Sequence, residues 1–240
     1  MRALAINIGA NTNEPGFRGP ITGDGQFTYV PIPESKATGQ QVPTYGDLNA
    51  ELSWSIPEGV HDQQVHLDPS FPEYPHCEHY TYGDEHGVKA GPLSELSAGD
   101  YLFFYATLST AGEAAEWIAP EWGAYVVGHF RLAVDPVTEF EATAGDVRTA
   151  LSTNAHRKRA TPDERVLLLG SESESALYDR AIPLSAPDSG ATANRVVTEW
   201  SSDSGKGPWW RRPMRFDAEA TERLLRIRET GAVGRCFRQS

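Results

Sequence analysis

Apolar residues along this chain fall in short runs broken by glycine, proline and polar loops, and few stretches repeat at helical spacing. Ala3 to Ile8 predicts a first strand; Phe27 to Ile32 alternates, is closed by Pro33, and predicts a second strand that could pair with the first as a hairpin. Between them lies a long polar loop holding an Asp24-Gly25 turn. Pro43 to Leu52 predicts a short helix, whereas Pro69, Pro72 and Pro75 make most of Val60 to Tyr82 a loop. The strongest signal is Tyr101-Leu102-Phe103-Phe104-Tyr105 behind a Gly99-Asp100 turn. It predicts a strand buried on both faces, with Ala124 to Ala133 as its partner. Asp146 to Leu151 predicts a short helix, residues 164–170 a strand, and residues 172–185 a helical turn leading into a last strand. From 217 to 230, Asp217 supplies a cap, Ala220, Leu224, Leu225 and Ile227 an apolar stripe, and Gly231 a stop. The pattern predicts one α+β domain over residues 1–240, strand-rich with peripheral short helices.

Composition narrows the class. The 240 residues are 39% hydrophobic, enough for a packed core, and no segment approaches the roughly 20 apolar residues of a membrane span, so no membrane partner is expected. The apolar N-terminal stretch is too short for a signal peptide, and Cys77 and Cys236 make neither a disulfide framework nor a four-thiolate metal site; a cytoplasmic location is expected. The net charge is -12, and only Lys36, Lys89, Lys158 and Lys206 are lysines, a balance that suits a salt-rich, halophilic cytoplasm. The charge is uneven: residues 1–153 carry 6 basic against 21 acidic side chains, residues 154–240 carry 15 against 12. A polyanion would meet the C-terminal third first, including the basic segment 205–240, while the acidic N-terminal face suits a basic protein partner.

Three constellations could carry chemistry. His61, His66, His76, His79 and His86 crowd into residues 61–86 with Cys77, Asp68, Glu78 and Asp84. Imidazole, thiolate and carboxylate at His66, His76, Cys77 and His79 could hold zinc or another divalent metal, although no common ligand spacing is present and a self-bonded polar loop is the plainer alternative. His66, Asp68, Asp84 and His129 are the candidates for acid/base catalysis. Trp117, Trp122 and Tyr125 flank the turn after the aromatic strand, and with Tyr105 they could stack a nucleobase, though large aromatics also fill cores. Residues 206–215 interleave Lys206, Arg211 and Arg212 with two tryptophans, and residues 154–159 add Arg157, Lys158 and Arg159, a mixture suited to phosphates. No complete Walker A loop, GxSxG elbow or dinucleotide fingerprint is present, and no organic cofactor is expected.

With these residues in view, the chain resembles the nucleotide modification associated domain 3 family. The similarity runs through Gly19-Pro20-Ile21, Asp24-Gly25, Tyr29-Val30-Pro31-Ile32-Pro33, Thr44-Tyr45-Gly46-Asp47-Leu48 and His66-Leu67-Asp68-Pro69, then Tyr82-Gly83-Asp84, Gly99 to Tyr105 and Val127-Gly128-His129-Phe130. It spans about residues 1 to 185; Asp84 stands where the family has a glutamine. The resemblance implies a link to modified nucleotides without supplying a reaction. The two central strands are also similar to those of EVE and ASCH domains, small PUA-like β-barrels that read modified bases or RNA. That similarity implies a barrel walled by the aromatic run, with Trp117 and Trp122 at its mouth.

The first reading is therefore a nucleic-acid-binding module, for DNA or RNA, that recognises a modified or flipped base in an aromatic pocket. The second is a metal-dependent or acid/base enzyme acting on nucleotides or nucleic acid through the loop 61–86. The third is an interaction subunit with no nucleic acid of its own.

Overall fold

A computed structural model describes residues 1–85 and 87–231; His86, Cys236 and the end of the basic segment lie outside them. Its strands are β1 (Ala3–Asn7), β2 (Pro20–Thr22), β3 (Ile32–Pro33), β4 (Val65–His66), β5 (Thr81–Asp84), β6 (Tyr101–Ala111), β7 (Trp122–Arg131), β8 (Val166–Leu169), β9 (Ala176–Pro183), β10 (Ser185–Ala186), β11 (Ser189–Ala193) and β12 (Met214–Phe216). Its α-helices are α1 (Tyr45–Glu51), α2 (Gly87–Ser94), α3 (Gly145–Leu151), α4 (Ala155–Lys158), α5 (Arg195–Thr198) and α6 (Ala218–Thr230). None of the described helices is long and apolar enough to cross a membrane. The chain resolves into two compact units, each gathered from separated stretches. Met1–Val30, Tyr101–His129 and the chain from Tyr178 form one; Pro31–Asp100 and Phe130–Leu177 form the other.

The first unit is built on one sheet in the order β12-β1-β6-β7-β9, with β2 beside the far end of β6. β1 pairs in parallel with β6, Ala3 opposite Tyr101 through Asn7 opposite Tyr105, and antiparallel with β12 on its other edge. Both edges of β1 are thereby occupied. The hairpin expected with Phe27 to Ile32 does not form: Phe27 makes an isolated bridge to Ile21, and Ile32 belongs to β3. Leu102, Phe103, Phe104 and Tyr105 are fully buried, as an unbroken apolar run predicts for a strand covered on both faces. Among the described residues no ladder joins β12 to β9, so the sheet is open and the expected PUA-like barrel is not seen.

Residues 172–174 form a turn and β9 follows it, as the pattern predicts; Ala176 and Tyr178 face inward at alternate positions, and hydrogen bonding to β7 holds the extended form. The stretch 206–215 folds differently from its sequence pattern. Within 206–215, Trp209 is fully buried and donates its indole N–H to the Ala191 carbonyl at 2.9 Å. Met214 and Phe216 then point inward from β12 and leave Arg215 exposed. The helix α6 is as read: the Asp217 carboxylate accepts from the Ala220 N–H at 2.9 Å, and Gly231 ends it at φ +61°.

In the second unit, short ladders β3–β4 and β5–β8 bring distant segments together. Thr44 and Asp47 form a reciprocal capping box on α1. Phe140, Leu151 and Leu167 make an apolar cluster with Val137, Val147 and Leu169 around it, and Phe71, Tyr80 and Phe130 meet edge to face. The Gly99-Asp100 turn owes its form to Gly99 at φ +83° and to the Asp100 carboxylate, which accepts from the Ser97 N–H at 3.1 Å.

Phe103 touches Tyr101, His129 and Phe216 at the centre of the first unit. Phe103→Ala is expected to cost about 3–5 kcal/mol of stability, read from the urea midpoint at constant slope; a loss below about 1 kcal/mol would mean that the sheet centre is not the packed core.

Candidate metal centre

Three buried side chains of the second unit converge. His66 stands at the end of β4, Asp68 two residues on, and His156 on the one-turn helix α4. The Asp68 Oδ2 lies 4.0 Å from the His66 Nε2 and 3.7 Å from the His156 Nε2. The two imidazole rings meet at 90° with centroids 4.8 Å apart. These distances are too long for hydrogen bonds. Ligands each about 2.1 Å from a shared tetrahedral ion stand about 3.4 Å apart; the ligating atoms of the three residues lie within 4.8 Å of one another, and drawing together would let them share one ion.

Each of the three is held from behind. His66 Nδ1 meets the Glu34 carboxylate at 2.6 Å, and His156 Nδ1 meets Asp163 at 2.9 Å. A carboxylate can only accept, so each pairing favours a proton on Nδ1 and turns Nε2 towards Asp68, the arrangement that orients a metal-ligating histidine; Arg159 Nη1 also stands 3.0 Å from the His156 Nδ1. Asp68 accepts from the Asn154 amide at 2.7 Å and from the Gly83 N–H at 3.0 Å. The same Asn154 caps α4 through the His156 N–H, so one side chain fixes both the aspartate and the turn that carries the second histidine. Gly83 is obligatory here: a Cβ would stand 2.7 Å from the His156 ring and 2.8 Å from the Asn154 oxygen.

Arg159 ties the supports together. Its Nη2 reaches Glu34 at 3.0 Å while its Nη1 reaches Asp163 at 2.8 Å and Glu85 at 2.5 Å. Lys36, half exposed, bridges Glu85 and Asp163 from the solvent side. Burial alone would raise the Glu34 carboxyl, but the bonds from His66 and Arg159 outweigh it and lower it to about 2. Asp163 is likewise held well below the ordinary range by its hydrogen bonds, those from Lys36, His156 and Arg159 among them, against burial. Asp68 goes the other way: burial raises it in spite of the two histidines. Arg159 and Lys36 thus pair Glu34, Glu85 and Asp163, and among the described residues no arginine or lysine pairs with Asp68. A second group of ligating atoms, on Glu85, His156 and Asp163, already holds the Arg159 and Lys36 charges in its midst.

Of the residues singled out from the sequence, His66 and Asp68 belong to this centre. His76 pairs with Glu51 and His79 with Glu172 at the surface, and neither they nor Cys77 joins a converging ligand group among the described residues. Asp84 sits beside the Tyr82 hydroxyl at 3.5 Å, and His129 is in the core of the first unit, its Nδ1 3.0 Å from the Tyr178 hydroxyl. Tyr105 and Tyr125 are also core residues: Tyr105 donates to the Arg212 carbonyl, and Tyr125, pushed up to about 12 by burial, accepts from the Ala119 N–H. They have no ring face to offer a base. Trp117 lies against Gly25, where a Cβ would come within 2.6 Å of the indole, and Trp122 is covered by the Arg18 guanidinium and by Trp210. Arg159 is buried in carboxylates instead of facing phosphate. Arg157 pairs with Glu164 and Glu141 and lies 3.9 Å over Phe140, and Arg212 pairs with Asp203. Lys158 is half-buried; Lys206 and Arg211 are exposed. The sequence reading missed His156, Glu34 and Asp163. The only local hint was a histidine inside the basic run 154–159, two residues after an asparagine able to cap a turn.

Arg159→Met is expected to destabilise the protein by about 3–5 kcal/mol, because it leaves the carboxylates behind both histidines buried without their cation. The folded Glu34 carboxyl lies at about 2 against an ordinary 4.5, so its stabilisation is complete above 4.5 and is lost as pH falls towards 2. Thermal melting of the wild type should steepen over that window, and Arg159→Met should flatten the dependence.

Neither the curated proteins nor the solved structures compared contain a match to this chain. The sequence model described as nucleotide modification associated domain 3 does match it, over residues 2–226, a span that includes every residue of the His66/Asp68/His156 centre and of its supports. The chain belongs to the nucleotide modification associated domain 3 family.

Proposed function

We propose that this protein is a metal-dependent enzyme that acts on nucleotides or nucleic acid within a nucleotide-modification system. The observation that carries the reading is the convergence of His66 Nε2, His156 Nε2 and Asp68 Oδ2, with a carboxylate behind each imidazole. Two histidines and one carboxylate suit a divalent first-row ion such as zinc or iron and leave positions open for water and substrate. An ion held so would polarise a substrate oxygen or activate a bound water. The Glu34 and Asp163 carboxylates orient the imidazoles, and Asn154 with Gly83 holds Asp68 beside them. The substrate class is supported by the family, whose name ties it to nucleotide modification. Recognition of a base by an aromatic pocket has less to stand on, since two of its four rings are core residues.

Metal analysis of protein purified without chelators should find about one divalent ion per chain. His66→Ala, Asp68→Ala and His156→Ala should each lose it, and His76→Ala and His79→Ala should retain it. Occupancy should fall as pH drops, because the raised Asp68 carboxyl brings proton competition for its ligand oxygen. Metal-loaded protein should convert a nucleotide or oligonucleotide to a product of altered mass, and the three ligand variants should not. Protein free of metal that shows no rise in melting temperature with zinc, iron or manganese would reject the centre.

A further inference from the structure

We propose that Arg18, stacked on Trp122, is a phosphate-binding residue for nucleotides or a nucleic-acid strand. What sets it apart is a buried donor without an acceptor. The chain holds 33 acidic residues against 21 basic ones, and several arginines pair with them: Arg131 with Glu174, Arg148 with Glu141, Arg195 with Glu199, Arg223 with Glu219. Arg18 makes no hydrogen bond or ion pair among the described residues, and its Nε is closed off from solvent with no acceptor. Burial accordingly lowers its pKa, with nothing to offset it. A desolvated cation left unpaired in an acid-rich protein is a donor fork waiting for an anion from outside.

The setting holds that fork still. The guanidinium carbon lies 4.5 Å from the centre of the Trp122 ring. Trp122 is backed by Trp210 at 5.2 Å and 70°, and Trp210 by Trp209 at 5.9 Å and 88°. Trp209 is anchored in the core by its bond to the Ala191 carbonyl. The segment that carries Trp210 also exposes Lys206 and Arg211, so further positive charge lies along the same stretch of chain. A planar, always-charged fork on an aromatic face matches the oxygens of a phosphate two at a time. Trp122 thus serves as the platform for a guanidinium rather than for a base. The inference rests on the nucleotide reading only for what carries the phosphate, and it does not depend on the metal centre.

Binding of a fluorescent single-stranded oligodeoxynucleotide, followed by anisotropy over a salt series, tests it. Arg18→Gln and Arg18→Met should each weaken binding several-fold and lower the slope of log K against log salt by about one. Both variants should keep the wild-type metal content. Arg18→Met retains the apolar stem on Trp122 and so carries the test if the glutamine variant folds poorly, while Arg18→Lys should keep the slope. Competition by a mononucleotide as well as by unlabelled oligonucleotide would identify a free nucleotide as ligand; competition by the oligonucleotide alone would identify a strand; either supports the proposal. Wild-type protein that fails to bind at low salt, or variants that match it in affinity and slope, would overturn it. A protein with stoichiometric metal and no oligonucleotide binding would lose this inference and keep the enzyme.

Discussion

One guanidinium, on Arg159, determines what the second unit can be. It sits out of water between Glu34 and Asp163, and those two carboxylates are the groups that grip His66 and His156. Removing several carboxylates from water is costly unless each finds a cation and enough hydrogen bonds, and the penalty for an unmatched one runs to several kcal/mol. The geometry meets that condition at Glu34 and Asp163, where Arg159 and the imidazoles hold both carboxyls low. The condition is not met at Asp68. Its partners are an amide, a backbone N–H and two imidazole nitrogens beyond hydrogen-bond reach, and burial pushes its carboxyl up.

That contrast separates structure from chemistry within one network. The outer carboxylates are paired and hydrogen-bonded; the inner one faces two imidazole nitrogens across a gap suited to a cation. A polar cluster serving stability alone would close such a gap with a hydrogen bond, because an uncompensated buried charge is among the most destabilising features a fold can carry. Gly83 reinforces the point, since its missing side chain gives Asp68, Asn154 and His156 the space they share.

The aromatic residues do different work in the first unit. Tyr105, Tyr125 and Trp209 are buried anchors whose polar ends reach backbone groups, the usual fate of large amphipathic rings in a core. Trp122 and Trp210 then form the half-buried end of that aromatic set, and an unpaired guanidinium lies on it. The family connection to nucleotides gives both features a common ligand class while leaving each to its own chemistry.

The local alphabet of the sequence determined those elements whose signals are local. Period-two and unbroken apolar runs mark β1, β6, β7 and β8, and caps mark α1 and α6, because side-chain burial and helix-end hydrogen bonds are decided within a few residues. β9 was legible as the strand that follows the turn in 172–185, whereas β12 was hidden: it follows a run of tryptophan, arginine and proline and is extended because a neighbouring strand supplies its hydrogen bonds. In the metal centre, His66 and Asp68 were legible as a pair two residues apart. His156 was not, because it stands among arginines and lysine that read as a phosphate patch, and the Asn154 bond to Asp68 spans 86 residues. Only tertiary structure could decide that Arg159 turns inward to carboxylates while Arg18 finds none. Charge pairing depends on which segments the β3–β4 and β5–β8 ladders bring side by side, and no local pattern of residues encodes that distance.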